Sequence, residues 1–261
     1  MEGEPVHSLH AEHFGAKGGG EPLVLLHGFG GTHKVWRAVI GALARKNEGL
    51  SILAYDLPGH GANLDAPGAG PPKRSAELIA ADLKRRGIER FHLAGHSMGG
   101  AIASLIAFSK PDATASLTLV APGGFGPEID IETLKKFAAA KKDDELRESL
   151  SRMSGPRVEM TDDDIAPLVA MRRQPGQMDT LKRIADGMTR DGKQGCLPAE
   201  WLEKLSMPVN LIWGTADSIL PYRQTENAPA HFALHTLDGA GHMLPEERPS
   251  EVAQVLVEAI R

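Results

Sequence analysis

The sequence predicts an α/β protein: a mostly parallel sheet flanked by helices, interrupted by a helical insertion. Short β-rich runs alternate with helical patterns, as parallel strands joined by crossover helices require. Most of those runs are apolar throughout, the pattern of strands covered on both faces. From Pro122 to Leu205, by contrast, helical patterns recur with no strand among them.

Along the chain, Val6–Phe14 reads as an antiparallel edge strand. Leu23–Leu26, Ile52–Tyr55, Phe91–Ala94, Leu117–Val120, Val209–Trp213 and Leu234–Leu237 read as the remaining strands. Helices are expected over Lys34–Arg45, Ser75–Arg86 (Ser75 as cap, Gly87 as stop), Met98–Ser109 and Ser250–Ile260. The last carries Val252, Val255, Leu256, Ala259 and Ile260 on one apolar face. Within the insertion, helical patterns lie at Ile131–Lys142, Asp144–Met153, Ala166–Arg173 and Met178–Met188. Pro167 fits a first helical turn but not a helix interior. The expected organisation is a core formed by residues 1–121 and 206–261, with a helical cap over 122–205.

Composition narrows the function classes. A chain of 261 residues, 41% hydrophobic and 24% charged, can bury a sizeable core, which excludes disorder, collagen and coiled coil. The net charge of −5, with no basic block beyond short pairs, lacks the footprint of a nucleic-acid binder. The single cysteine, Cys196, cannot form an internal disulfide and reads as a packed thiol. Met1–His13 has no apolar signal core, and Ala101–Phe108 is far shorter than the ~18 residues of a membrane span. A cytoplasmic protein acting on a small molecule, away from membranes, is the expectation.

The chemistry is carried by Gly95-His96-Ser97-Met98-Gly99, which follows one expected strand and opens the next helix. That is G-x-S-x-G on a strand-to-helix turn, a nucleophile elbow. A serine there needs a base, itself oriented by an acid, and enzymes with such an elbow carry the acid and then the base later in the chain. Asp217 lies just past Val209–Trp213, and His242 just past the last strand. Both sit at carboxyl ends of strands, where open parallel sheets place their ligands. Asp56 and Asp238 are alternative acids, each with a structural reason to exist: a glycine turn for the first, a strand end for the second. His27-Gly28-Phe29-Gly30-Gly31 follows the second strand; the amides of Phe29 and Met98 would form the oxyanion hole.

HGFGG, DLPGHG (56–61), GHSMGG (95–100), WGTADSILP (213–221) and GAGHMLPEERP (239–249), in that order, resemble the α/β-hydrolase superfamily from about Pro22 to Ile260. The resemblance implies an α/β-hydrolase fold with the cap inserted after the sixth strand of the main sheet, Leu117–Val120 here. Within it, Ala121–Ile129 and the cap look most like the hydrolase-type domain of acetyltransferase subunits of acetoin dehydrogenase complexes. Those subunits carry a lipoyl domain upstream; none stands here, so acetyl transfer to lipoamide is not part of the expectation.

Blander readings attach to several residues. His27 and His96 read as holders of loop geometry. His7, His10 and His13 lack the acidic or thiol partner a metal would need. Trp201, Met153, Met171 and Met188 either line a lid or fill its core. A serine at position 97 argues against epoxide hydrolases and haloalkane dehalogenases, which use aspartate. Meta-cleavage carbon–carbon hydrolases add a cap arginine, for which Arg172 or Arg173 could serve, and a tryptophan where Met243 stands. The expected function is a carboxylester hydrolase acting through Ser97, His242 and Asp217, without metal or cofactor. A carbon–carbon hydrolase and a catalytically silent sensor are the alternatives.

Overall fold

Apolar runs too short to be helices become the strands of one sheet. The computed structural model describes residues 8–16, 20–47, 49–156 and 158–261. In chain order the first half comprises β1 (Ala11–Phe14), β2 (Leu23–Leu26), α1 (Arg37–Lys46), β3 (Ile52–Tyr55), α2 (Pro72–Arg85), β4 (Phe91–His96), α3 (Met98–Ser109) and β5 (Thr114–Val120). An insertion follows: α4 (Ile131–Ala139), α5 (Asp143–Met153), α6 (Asp162–Arg172), α7 (Gln177–Gly187), β6 (Thr189–Arg190), β7 (Lys193–Gln194) and α8 (Ala199–Leu202). The chain then returns through β8 (Val209–Gly214), β9 (Ala233–Leu237), α9 (Leu244–Glu247) and α10 (Pro249–Ala259).

The main sheet has seven strands in the order β1-β3-β2-β4-β5-β8-β9. β1 runs antiparallel to β3, and every other neighbouring pair is parallel. This is the α/β-hydrolase fold expected from the motifs. β5, sixth in the superfamily's count, is fifth along the described chain. β1 is shorter than the expected Val6–Phe14 edge: residues 8–10 are described but lie outside the strand, and Val6 and His7 lie outside the described residues. Every residue of β2 and β3 is buried, which is why those runs carry no polar alternation. Helix α1 packs on α10 and α2 on α3, covering the sheet. No helix among the described residues is long and apolar enough to cross a membrane.

Four expectations change. Helix α2 begins at Pro72, not at a Ser75 cap: proline has no amide to satisfy and a pre-set φ, so it takes the first position, and Ser75 is buried inside the helix. The helix expected from Lys34 opens as a 3₁₀ turn, His33–Trp36, before α1. Pro167 lies inside α6, because the helix starts earlier, where Asp164 Oδ2 accepts from the Thr161 amide at 2.9 Å and hydroxyl at 2.6 Å. The insertion also contains a strand pair, β6–β7, around Asp191-Gly192. Both turn residues have positive φ, the geometry that makes Asp-Gly a hairpin signal.

Candidate active site

One residue separates β4 from α3, and it is Ser97. Its backbone (φ 53°, ψ −117°) lies where side-chain-bearing residues are strained. The turn closes because its neighbours lack side chains. A Cβ on Gly95 would lie 2.2 Å from the Gly99 carbonyl oxygen, and one on Gly99 would lie 2.4 Å from that of Leu26. The hydroxyl is thereby held at the N-terminus of α3, where the helix dipole favours negative charge.

Ser97 Oγ lies 2.9 Å from His242 Nε2, and His242 Nδ1 lies 2.8 Å from Asp217 Oδ2. All three side chains are buried. The partners set the proton positions: Nδ1–H donates to the carboxylate, so Nε2 accepts from the serine hydroxyl. Asp217 is itself oriented, its Oδ1 accepting from the amides of Ile219 (2.9 Å) and Leu220 (2.8 Å). The buried indole of Trp213 closes this loop by donating to the Leu220 carbonyl at 3.0 Å. Asp56 instead accepts from the amide and Nδ1 of His33, both at 2.8 Å, and from the Ala62 amide at 3.0 Å. Asp238 accepts from the Thr215 hydroxyl. Of the three acids, Asp217 alone reaches the imidazole.

The main chain of His242 is fixed by groups the sequence reading missed. Glu247 is buried; its Oε2 accepts from the amides of Gly241 (2.8 Å) and Gly155 (2.9 Å), and its Oε1 from that of Met243 (2.9 Å). The His242 amide donates to the Met153 carbonyl at 2.7 Å. A Cβ on Gly241 would lie 2.4 Å from the Gly155 nitrogen, so the histidine loop and the end of α5 touch backbone to backbone. The signal was faint: turn amides at Gly241 and Met243 need acceptors, and a carboxylate stands a helical turn away.

Three histidines brace the floor. His96 Nε2 donates to the His242 carbonyl at 2.8 Å. His27 donates to the Gly28 carbonyl (2.7 Å) and accepts from the Leu57 amide (2.9 Å), and His60 accepts from the Gly30 amide (3.1 Å). Burial holds the imidazoles of His27, His60 and His96 neutral, pushing their pKa down to about 4, 3 and 3. They hold loops, as the sequence suggested for His27 and His96. The loop His27 pins lies against the serine: a Cβ on Gly28 would sit 3.2 Å from Ser97 Cβ. Among the described residues, neither the Phe29 nor the Met98 amide has an acceptor.

Two cavities share Phe29, Ser97 and Leu134 in their walls. The larger, about 530 Å³, is mainly apolar and is bounded by Met98, Ala101, Leu105, Ile129, Met188 and Leu197. The smaller, about 50 Å³, lies on the His242 side and reaches Lys34, Arg37, Asp164 and Glu246. Met153 lines the smaller and Met188 the larger, whereas Met171 is buried in the hydrophobic core and lines neither. Trp201 stacks on Phe108, ring centroids 4.5 Å apart. Cys196 is exposed and stands at the wall of the larger cavity, so the packed thiol is corrected: its loop follows β7 rather than entering the core. Arg173 is exposed, and buried Arg172 lines neither cavity. The Arg172 guanidinium donates to the carbonyls of Phe137 (3.1 Å) and Gly30 (3.4 Å) and lies 4.5 Å from the Phe137 ring centroid.

The chain is similar to several known proteins. The chain is 32% identical over 243 residues to the dihydrolipoyllysine-residue acetyltransferase component of an acetoin cleaving system from Pseudomonas putida, covering 93% of this chain but only 64% of that protein's length. It is 29% identical to a 2-hydroxy-6-oxononadienedioate/2-hydroxy-6-oxononatrienedioate hydrolase from Burkholderia vietnamiensis, covering 93% of this chain and 88% of that one. In fold it is similar to the 2-hydroxy-6-oxo-6-phenylhexa-2,4-dienoate hydrolase of a Rhodococcus strain (TM-score 0.79, 23% identity, 98% of this chain and 96% of the other). The model of the alpha/beta hydrolase family matches residues 23–255, and the chain belongs to that family.

Proposed function

We propose that this protein is a serine hydrolase that cleaves a carboxylic ester through an acyl-enzyme, with Ser97 as nucleophile, His242 as general base and Asp217 as its orienting acid. The observation that carries the reading is the unbroken row from Ser97 Oγ through His242 to Asp217, at 2.9 and 2.8 Å. Ser97 attacks the ester carbonyl while His242 takes its proton, and Asp217 stabilises the imidazolium that forms. The amides of Phe29 and Met98 receive the oxyanion, each such donor being worth ~3–4 kcal/mol in comparable sites. His242 then protonates the departing alcohol and afterwards activates water against the acyl-enzyme. Since the leaving oxygen must meet His242 Nε2, the alcohol half occupies the smaller cavity and the acyl half the larger, apolar one.

Arg172 favours an ester over the vinylogous diketone of carbon–carbon hydrolases: the cation is spent on backbone carbonyls, outside both cavities. The test is a fluorophosphonate probe together with p-nitrophenyl esters of increasing chain length and a vinylogous diketone. The probe is expected to label Ser97, and Ser97→Ala to abolish labelling and lower ester turnover by at least about a thousandfold. Labelling that survives Ser97→Ala overturns the assignment. Diketone cleavage with poor ester turnover replaces it by carbon–carbon hydrolysis, and tight binding of a small molecule with no turnover by a sensor.

A further inference from the structure

The smaller cavity contains a group that this chemistry leaves unused. Glu246, in α9, lines it together with Ser97 and His242. Its Oε2 is sealed from solvent and has no hydrogen-bond partner among the described residues. The charged groups facing it are committed elsewhere or do not pair with it. Arg37 of α1 lies 3.3 Å from Asp163 of α6. Asp164 caps its own helix, and Glu247 is taken up by three amides. Lys34 lies in the wall but forms no ion pair with Glu246 among the described residues. Burial, together with the neighbouring carboxyls of Asp164 and Glu247, pushes the Glu246 pKa well above the usual carboxylate range. The carboxyl is thereby biased toward its protonated, hydrogen-bond-donating form, and its Oε2 has no partner among the described residues, a costly state for a buried polar atom unless a ligand completes it.

We infer that Glu246 is a specificity-determining residue that donates a hydrogen bond to an oxygen on the alcohol half of the substrate, making esters of polyols or hydroxyketones preferred over esters of plain alkanols. The inference rests on the serine hydrolase reading above, which places the alcohol half on the His242 side. The volume there, about 50 Å³, suits a short group. A plain alkyl group would leave the Glu246 acid unsatisfied, and sites with an unmet hydrogen bond discriminate strongly against such analogues.

The matched pair of probes is 2,3-dihydroxypropyl butyrate and propyl butyrate, compared as a ratio of kcat/KM within each protein, so that any general loss of activity cancels. The wild-type ratio is expected to be at least about ten, the usual worth of one buried hydrogen bond. It falls to near one in Glu246→Leu and survives within about threefold in Glu246→Gln, which keeps a neutral donor. A wild-type ratio near one, a ratio undiminished in Glu246→Leu, or a Gln variant as flat as Leu overturns the inference. If Glu246→Leu does not fold, protection answers in the wild type: glycerol should slow fluorophosphonate labelling of Ser97 more than propan-1-ol does, and equal protection overturns the proposal. Failure of labelling itself, with neither ester turned over, overturns the hydrolase reading beneath it. Intact labelling with a flat ratio removes the Glu246 role alone.

Discussion

The insertion meets the core in two different ways. At the end of α5 the meeting is polar and made largely by backbone. The last carbonyls of a helix have no intrahelical donor. Here that of Arg152 accepts from the Ser218 hydroxyl at 2.8 Å, and that of Met153 from the His242 amide at 2.7 Å. One helix end thus ties together the loops that carry Asp217 and His242. Elsewhere, α7 and the segments that follow α7 and β7 line the larger cavity with the apolar side chains of Ile184, Met188 and Leu197. Backbone hydrogen bonds resist displacement, whereas apolar walls re-pack. The first side therefore governs whether the proposed chemistry runs, and the second which acyl chain enters.

The sharpest way to break this contrast is on the polar side. Asp217→Asn preserves shape but strands His242 in the wrong tautomer, and turnover is expected to fall about 10⁴-fold with the melting temperature little changed. A loss under tenfold, or an equal loss from Asp238→Asn, would show that another acid orients the histidine. Acid stability probes the same side. An ordinary imidazole titrates near 6.5, while His27, His60 and His96 are held down to about 4, 3 and 3. The unfolded chain therefore takes up these protons first, and stability falls as pH drops below about 6.5, by up to about 1.4 kcal/mol per pH unit for each histidine. Glu246 acts in the opposite sense, its contribution being present below its ordinary 4.5 and lost as pH rises. Urea midpoints from pH 7 to 5 should show the decline, and His96→Gln should flatten it by about one proton; an unaltered slope in that variant contradicts the role of burial.

Glu247→Gln puts an NH₂ where at least one amide needs an acceptor. A drop of about 10–100-fold in kcat with KM nearly constant is expected, because a shift on the order of 1 Å at the base costs that much. A pure rise in KM would assign Glu247 to substrate binding instead. The smallest effect belongs to the apolar side. Met188→Ala should move the preferred p-nitrophenyl ester toward longer chains, by about threefold in relative kcat/KM. Met171→Ala should instead lower stability, by ~2–5 kcal/mol, and leave the chain-length profile alone. Reversed results would exchange wall and core.

Much of this was legible from the sequence, and for local reasons. The apolar strands, the glycines around Ser97 and the Ser, Asp, His order are set by chain-local needs: burial on both faces, a turn without room for a Cβ, a loop after a strand. The Asp-Gly hairpin at 191–192 was equally local and went unread because the surrounding stretch is helical. Helix starts shifted at Pro72 and Asp162, where proline and a capping carboxylate outweighed apolar spacing.

What the sequence by itself determined, then, is the fold, the elbow strain at Ser97 and the choice of residues set at the sheet's carboxyl edge. Only the tertiary structure decided that Met171 is core while Met188 is wall, and that Arg172 turns to carbonyls rather than to a cavity. It also decided that adjacent glutamates have opposite fates: Glu247 gathers three amides, while Glu246 keeps an oxygen with no partner among the described residues and lines the cavity that Ser97 and His242 also line. The physical reason is the same in each case. Strand and turn preferences depend on neighbours in the chain, but a buried carboxyl or cation takes its role from whichever donors and acceptors packing brings within about 3 Å, and those come from segments far away in sequence.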